Sequence, residues 1–535
     1  MHCTRTGRGR RIAVLALIVG NVAAVAAGQQ PRRPTAPVPL PTVSGPVAVT
    51  AASYPYMSAS HLLEPMDLAV SGYVEEEFFV SGRANVYDWA ADGSISVRTP
   101  NAPYTTRILV RRPAAAARFS GNVIVEIMHT PNAQDFSLMW GWAHDYFLEH
   151  GDAYVAVTVM PVAARALKVF DPVRYAPISF ANPTPDAPCA VPGTGNAVAD
   201  RSMEEGLRWD MISQVGTLLK STVPNRPLAG FTVEYLYMTT QDAILQTYIN
   251  AIHRSATLPT GAPVYDGYIV KGGARAARIN QCAAAPAADD PRNAFTNVGV
   301  PIIHLQMEGD FPGAYAARRA DSDAPNDRFR LWEVAGTAHF DSAGYRTGFP
   351  ALADMTRGGL ELPMRAVPPD LSGFTFDTPL QEPSVPLCVP PVTSEQPILA
   401  YVFHAAFMNL DQWVRKGVAP PRAARLELLN PGTPMMSVAS DEFGNGKGGL
   451  RTPYVDVPTS TYLPFRENTS RLCRQFGGEK RFSWERLESL YGSYAGYVSK
   501  VTAAVDRAVK ERWLTPTDGQ KVKSDLLSTG TAVTR

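Results

Sequence analysis

Three short segments place reactive side chains directly after apolar runs. They are Thr239-Thr240-Gln241-Asp242, Met307-Glu308-Gly309-Asp310 and Ala335-Gly336-Thr337-Ala338-His339. In chain order they offer a hydroxyl, a carboxylate and a histidine, with spacings of 71 (239 to 310) and 29 (310 to 339) residues. A neutral imidazole can take the proton of a hydroxyl as its oxygen attacks. A carboxylate on the other ring nitrogen then fixes the tautomer and stabilises the imidazolium. The chemistry such a set suits is attack by an activated hydroxyl on an electrophilic carbon. His339 is the expected base, Thr239 the expected nucleophile, and Asp310 or Glu308 the acid. These two carboxylates are two residues apart and share one side of an extended chain. Metal chemistry has no such support, because neither HxxxH nor a Cys/His cluster occurs. Asp289-Asp290-Pro-Arg reads as a turn, and Gly444-Asn-Gly-Lys-Gly-Gly lacks Walker A spacing. No cofactor and no metal are expected.

Apolar strands alternating with helices must position these groups. Strand-like runs fall at Thr106–Arg112, Asn122–Met128, Ala153–Val159, Val233–Met238, Asp266–Val270, Val300–Gln306 and Phe329–Val334. Helical spacing falls at 137–148, 209–220 and 242–253. Near-continuous apolar strands with helices between them specify a mainly parallel sheet covered on both faces. Ligands then sit beyond the carboxyl ends of the strands, where the three segments lie. His304 falls within a strand and reads as buried. His129 follows one and reads as a pocket-lining loop residue. Beyond residue 350 proline-rich loops surround two helical stretches, Pro397–Lys416 and one within Trp484–Trp513, which reads as a cap or extension packed on the core.

The first residues read differently. Arg5, Arg8, Arg10 and Arg11 precede the apolar run Ile12–Ala24, which ends among small residues, the pattern of a cleaved secretory signal. The expected organisation is a signal at 1–27, a proline-rich linker at 28–46, a core at 47–350 and a C-terminal cap at 351–535. The expected location is periplasmic or secreted, without an integral membrane span. Export leaves Cys189, Cys282, Cys388 and Cys473 in an oxidising compartment, and the favoured pairs are Cys189–Cys282 and Cys388–Cys473. With 50 basic and 49 acidic side chains the net charge is +1, which offers no field to attract nucleic acid.

The chain resembles the bacterial α/β-hydrolase domain-containing proteins, a group often exported and described as esterases. The likeness is carried by Gly72-Tyr-Val-Glu-Glu-Glu-Phe-Phe-Val-Ser-Gly, Phe170-Asp-Pro-Val-Arg-Tyr-Ala-Pro, Trp209-Asp-Met-Ile-Ser-Gln-Val, Thr247-Tyr-Ile-Asn and Arg330-Leu-Trp-Glu-Val-Ala-Gly-Thr-Ala-His339, and covers almost all of the mature chain. It implies the α/β-hydrolase fold, a small-molecule ester substrate, and a triad in the order nucleophile, acid, histidine. It places Asp310 at the acid and Thr239 where such proteins carry serine in Gly-x-Ser-Gln-Ser/Thr-Gly. Tyr237 and Asp242 then replace the flanking glycines, a departure at a turn where close backbone approach favours glycine. The oxyanion donors it implies are the N–H groups of Thr240 and of Thr130 or Asn132, Pro131 having none. Three readings stay open: Thr239 as a working nucleophile, a rebuilt elbow using Thr240 or Asp242 (Asp242 pointing to epoxide or haloalkane chemistry), or a binding protein without turnover.

Overall fold

A ten-stranded sheet carries the site. In the computed structural model the described residues are 37–535, apart from 91–92, 131–132, 190–199, 242, 274, 361–397, 466–474 and 530–535. The signal segment and both members of the Cys388–Cys473 pair therefore lie outside the described residues.

The sheet begins with antiparallel strands β1 (Thr42–Ser44), β2 (Tyr73–Trp89) and β3 (Ile95–Pro113). It continues through β4 (Asn122–Ile127), β5 (Ala153–Val157), β6 (Tyr235–Thr240), β7 (Gly267–Lys271), β8 (Ile302–Met307), β9 (Ser322–Ala324) and β10 (Asp327–Val334). The spatial order is β1-β2-β3-β5-β4-β6-β7-β8-β10-β9. Strands β5, β4, β6, β7, β8 and β10 run parallel, so their carboxyl ends share one edge. The mainly parallel sheet covered by helices is thus present, with the α/β-hydrolase order of elements.

Alternation along the strands separates two cores. On one face Ile124, Tyr154, Tyr237, Ile269, Ile303 and Trp332 pack with helices α1 (Leu138–His150) and α7 (Ile398–Lys416). On the other Val123, Val155, Met238, Val270 and Leu331 pack with α3 (Arg208–Lys220) and α4 (Ala243–Thr247). Each fully buried Leu, Val or Phe in such a layer contributes roughly 1.5–3 kcal/mol. Between these elements in the chain lie α2 (Pro161–Phe170), α5 (Ser342–Gly348) and α6 (Leu352–Arg357). Helix α7 comes from the C-terminal stretch yet lies directly on the sheet. His404 fixes it there: Nδ1 lies 3.0 Å from an Asp518 oxygen and Nε2 lies 3.1 Å from the Trp142 carbonyl. Residues 37–535 form one compact unit. The tail helices Trp484–Tyr491 and Tyr494–Lys510 are separate rather than continuous, because Gly492 at φ 68° turns the chain between them. The expected Cys189–Cys282 disulfide is present and joins segments 93 residues apart.

One strand end differs from the sequence reading. Strand β6 does not stop at Met238 but runs through Thr240, with Thr239 opposite Ile269 and Thr240 opposite Val270. β-Branched threonines suit a ladder as well as a helix entry, and pairing with β4 and β7 draws them into the sheet.

Helix α5 begins three residues after His339, and its approach to α1 sets the exit of that loop. Ser137 N–H donates to the Gly348 carbonyl at 3.0 Å, and Thr347 Oγ1 donates to the Gly141 carbonyl at 3.0 Å. A Cβ on Gly141 would lie 2.9 Å from Gly348 Cα. Gly141→Ala is therefore expected to destabilise the fold by about 1–3 kcal/mol through overpacking, read by urea denaturation.

Candidate active site

The turns after β8 and β10 are stitched together by hydrogen bonds. Gly309 N–H donates to the Thr337 carbonyl at 2.9 Å, and Gly336 N–H donates to Glu308 Oε2 at 2.7 Å. Thr337 Oγ1 closes its own turn on the Val334 carbonyl at 2.7 Å. The fit is close enough that a Cβ on Gly309 would lie 2.9 Å from His339 N and 3.0 Å from Ala338 Cα. Parallel pairing of β8 with β10, Met307 opposite Val334, brings both turns to one place.

There Asp310 meets His339. Asp310 Oδ1 lies 2.5 Å from His339 Nδ1, and Oδ2 accepts the Met307 N–H at 2.9 Å. Burial pushes the Asp310 carboxyl up, but the His339 charge, its hydrogen bond and nearby Lys271 outweigh this and hold it at about 2. Asp310 is thus ionised at neutral pH and accepts a proton bond from Nδ1, which leaves Nε2 as the acceptor of the neutral ring. The His339 side chain is 24 % exposed. Burial lowers its pKa first, Lys271 lowers it further, and Asp310 opposes both.

Glu308, the other carboxylate considered as the acid, does not bond the imidazole. It braces the histidine loop through Gly336. Burial pushes its carboxyl up to about 7, opposed by the Gly336 N–H and by Arg451.

The group facing Nε2 is Gln241, whose Nε2 lies 3.1 Å from it. With Nδ1 carrying the ring proton, the Gln241 amide donates to the imidazole. This residue is the first beyond β6. Thr239 is fully buried within the strand, and its Oγ1 has no hydrogen-bond partner among the described residues. Tyr237 belongs to the core on the α1 and α7 side, so Thr239, two residues on, projects to that side too. No hydrogen bond joins Thr239 to His339 among the described residues. The Thr240 hydroxyl donates to the Ile127 carbonyl at 2.7 Å, and Thr240 itself is paired with Val270 in the ladder. Thr130 is half-buried just beyond β4, beside His129, whose charge acts on His339. Asp242, Pro131 and Asn132 lie outside the described residues. His304 is buried, with Nε2 against the Gly272 carbonyl at 2.6 Å.

Two residues of the site escaped the reading of the sequence. Gln241 stood beside the expected nucleophile, and a strand end two residues later would have singled it out. Lys271 closes the apolar run of β7, and a lysine at the end of a strand buried on both faces is itself a signal. Among the described residues no group of His, Cys, Asp or Glu is arranged to hold a metal ion. Likewise no described helix is long and apolar enough to cross a membrane.

Residues 43–524 match the family model described as alpha/beta hydrolase domain, and the chain belongs to that family. Membership supports a hydrolase. The chain is also similar to a solved bacterial esterase at 12% identity, covering 49% of this chain and 85% of that one, with a TM-score of 0.25. An S-formylglutathione hydrolase from Agrobacterium tumefaciens is similar at 10% identity, with 49% and 87% of the chains covered and a TM-score of 0.24. A glucuronoyl esterase from Solibacter usitatus matches at 9% identity, with 49% and 77% covered and a TM-score of 0.25. No curated protein matches the chain. The fold assignment rests on the family match and the sheet order.

The Glu308 environment has a consequence for stability. Its folded pKa of about 7 lies above the ordinary 4.5, so the unfolded chain ionises first as pH rises. The contribution of neutral Glu308 is complete below the ordinary value and is lost as pH climbs towards 7. Glu308→Gln keeps an acceptor for Gly336 but cannot titrate. Urea denaturation of this variant should therefore lose less stability than wild type between about pH 5 and about pH 7, by on the order of 3 kcal/mol or less.

Proposed function

We propose that this chain is an exported hydrolase of carboxylic esters, with His339 as general base, Asp310 as the carboxylate that orients it and Thr239 as the attacking hydroxyl. The observation that carries this reading is the Asp310–His339 bond of 2.5 Å, which leaves Nε2 as an acceptor at the carboxyl end of β6. In the reaction Thr239 Oγ1 transfers its proton to Nε2 and bonds the acyl carbon. The imidazolium, stabilised by ionised Asp310, then protonates the departing alkoxide, and water releases the acid by the same route. The N–H groups of Thr240 and Thr130 are the oxyanion donors in this scheme. Gln241 occupies the acceptor of the base in the free protein, so productive binding has to displace its amide. Export rests on the basic and apolar N-terminal pattern and accords with the Cys189–Cys282 disulfide.

A second reading is favoured by the same Gln241 contact: a hydrolase-fold protein that binds its ligand without covalent turnover. Labelling by a fluorophosphonate, mapped to Thr239 by mass spectrometry, excludes it.

Hydrolysis of p-nitrophenyl acetate tests the first reading. His339→Ala is expected to lower kcat/KM by about 10²–10⁴. Thr239→Val, which keeps the shape and removes the hydroxyl, is expected to lower it comparably. Gln241→Ala is expected to raise it by freeing Nε2. Full activity in His339→Ala would sink the assignment, and full activity in Thr239→Val alone would move the attack to another oxygen.

A further inference from the structure

A buried lysine stands behind the base. Lys271 ends β7, is 1 % exposed, and projects to the same side of the sheet as Ile269, towards α1 and α7. Its Nζ donates to the His339 carbonyl at 2.8 Å. The aromatic rings of Trp142 and Phe340 cover it, with centroids 5.0 and 5.5 Å from Nζ. An ammonium taken out of water is costly unless other charges or dipoles compensate for its lost hydration. Here the compensation comes from the carbonyl, the two ring faces, and the charges of Asp310 and Asp341.

Asp341 is held by the Trp142 Nε1 at 2.7 Å and by the Gly344 N–H at 2.9 Å, so this second carboxylate is fixed near the lysine without being spent on it. The ammonium therefore lies on the His339 carbonyl and within the electrostatic reach of Asp310 and Asp341.

We infer that Lys271 is a positioning residue for the His339 base: its ammonium anchors the His339 backbone through the carbonyl and supplies a fixed positive charge behind the Asp310–His339 pair. This role rests on the proposed use of His339 as a base. The charged and titratable groups facing His339 are Asp310 from the turn after β8, Lys271 from β7 and His129 from beyond β4, with neutral Gln241 at the end of β6. Asp310 favours the imidazolium, whereas Lys271 and His129 oppose it. Lys271 also helps to keep Asp310 ionised. Burial pushes the Lys271 amine down to about 8, against the pull of Asp310 and Asp341, so it is largely charged where the imidazole titrates. Removing that charge should raise the titration midpoint of His339.

The test uses full-length protein carrying ¹³C-labelled histidine, with the His339 resonance assigned by its loss in His339→Gln. Lys271→Gln keeps a donor for the carbonyl and removes the charge, and Lys271→Met removes both. In both variants the His339 midpoint is expected to rise by about half a pH unit or more, with the circular dichroism of the folded state retained. If Lys271→Met does not fold, Lys271→Gln decides. An unchanged or lower midpoint in a folded variant overturns the inference and leaves Lys271 a packing residue. In ester hydrolysis the acidic limb of kcat/KM should move upward with the midpoint. Wild-type protein inactive on esters would count against the ester-hydrolase reading alone, since the His339 titration does not depend on turnover.

Discussion

A carboxylate removed from water stays ionised only where fixed charges and donors replace its hydration, and Asp310 is such a carboxylate. His339, the Met307 N–H and Lys271 together offset its burial. None of them can be moved independently. The Met307 donor belongs to the end of β8, the imidazole to the loop after β10, and the lysine to the end of β7. Their convergence requires three parallel strands ending at one edge in a fixed register. The cross-bonds between Glu308 and Gly336 and between Gly309 and Thr337 then prevent the two turns from sliding apart. The Asp310–His339 pair and the sheet edge depend on one another.

A comparable constraint governs the antiparallel half of the sheet. Arg107 on β3 donates to Glu77 on β2 at 3.0 Å and lies 3.4 Å from Asp135, with all three side chains fully buried. Arg174 reaches the same Glu77 at 2.5 Å. Two cations and two anions balance there. Removing any one would leave an uncompensated buried charge, which costs far more than the pair contributes. This cluster ties the β2–β3 hairpin to the segment after β4 and to the loop beyond α2.

Where the site departs from a serine triad, the cause is local geometry. Extension of β6 through Thr240 spends one threonine on the Ile127 carbonyl and leaves the other, Thr239, buried on the α1 and α7 side. The first residue free of the ladder is Gln241, and it reaches the base with an amide, which can donate a hydrogen bond but cannot attack a carbonyl. A neutral donor on Nε2 stabilises the unprotonated imidazole. The protein thus holds His339 with its Nε2 occupied by the Gln241 amide. Which group meets Nε2 is a property of the site rather than of the fold.

Much of the fold was legible in the sequence because its signals are local. Apolar runs such as Asn122–Met128 and Val300–Gln306, alternating with helical stretches, specify the central parallel strands. The two carboxylates of the turn after β8 were legible as a pair, but not their division of labour. Asp310 on the imidazole and Glu308 on Gly336 differ through bonds made across the gap to a turn 29 residues away. The end of β6 was misjudged by two residues because threonine serves a strand and a helix entry equally, and only Ile269 and Val270 opposite decide between them. The seating of α7 on the sheet is likewise an outcome of packing. By itself the sequence determined the order of elements and the chemical types present at the strand ends. Tertiary structure alone decided that Gln241 meets the base and that Lys271 lies behind it, because which side chains share a buried space depends on strand register and on closure of loops remote in the chain.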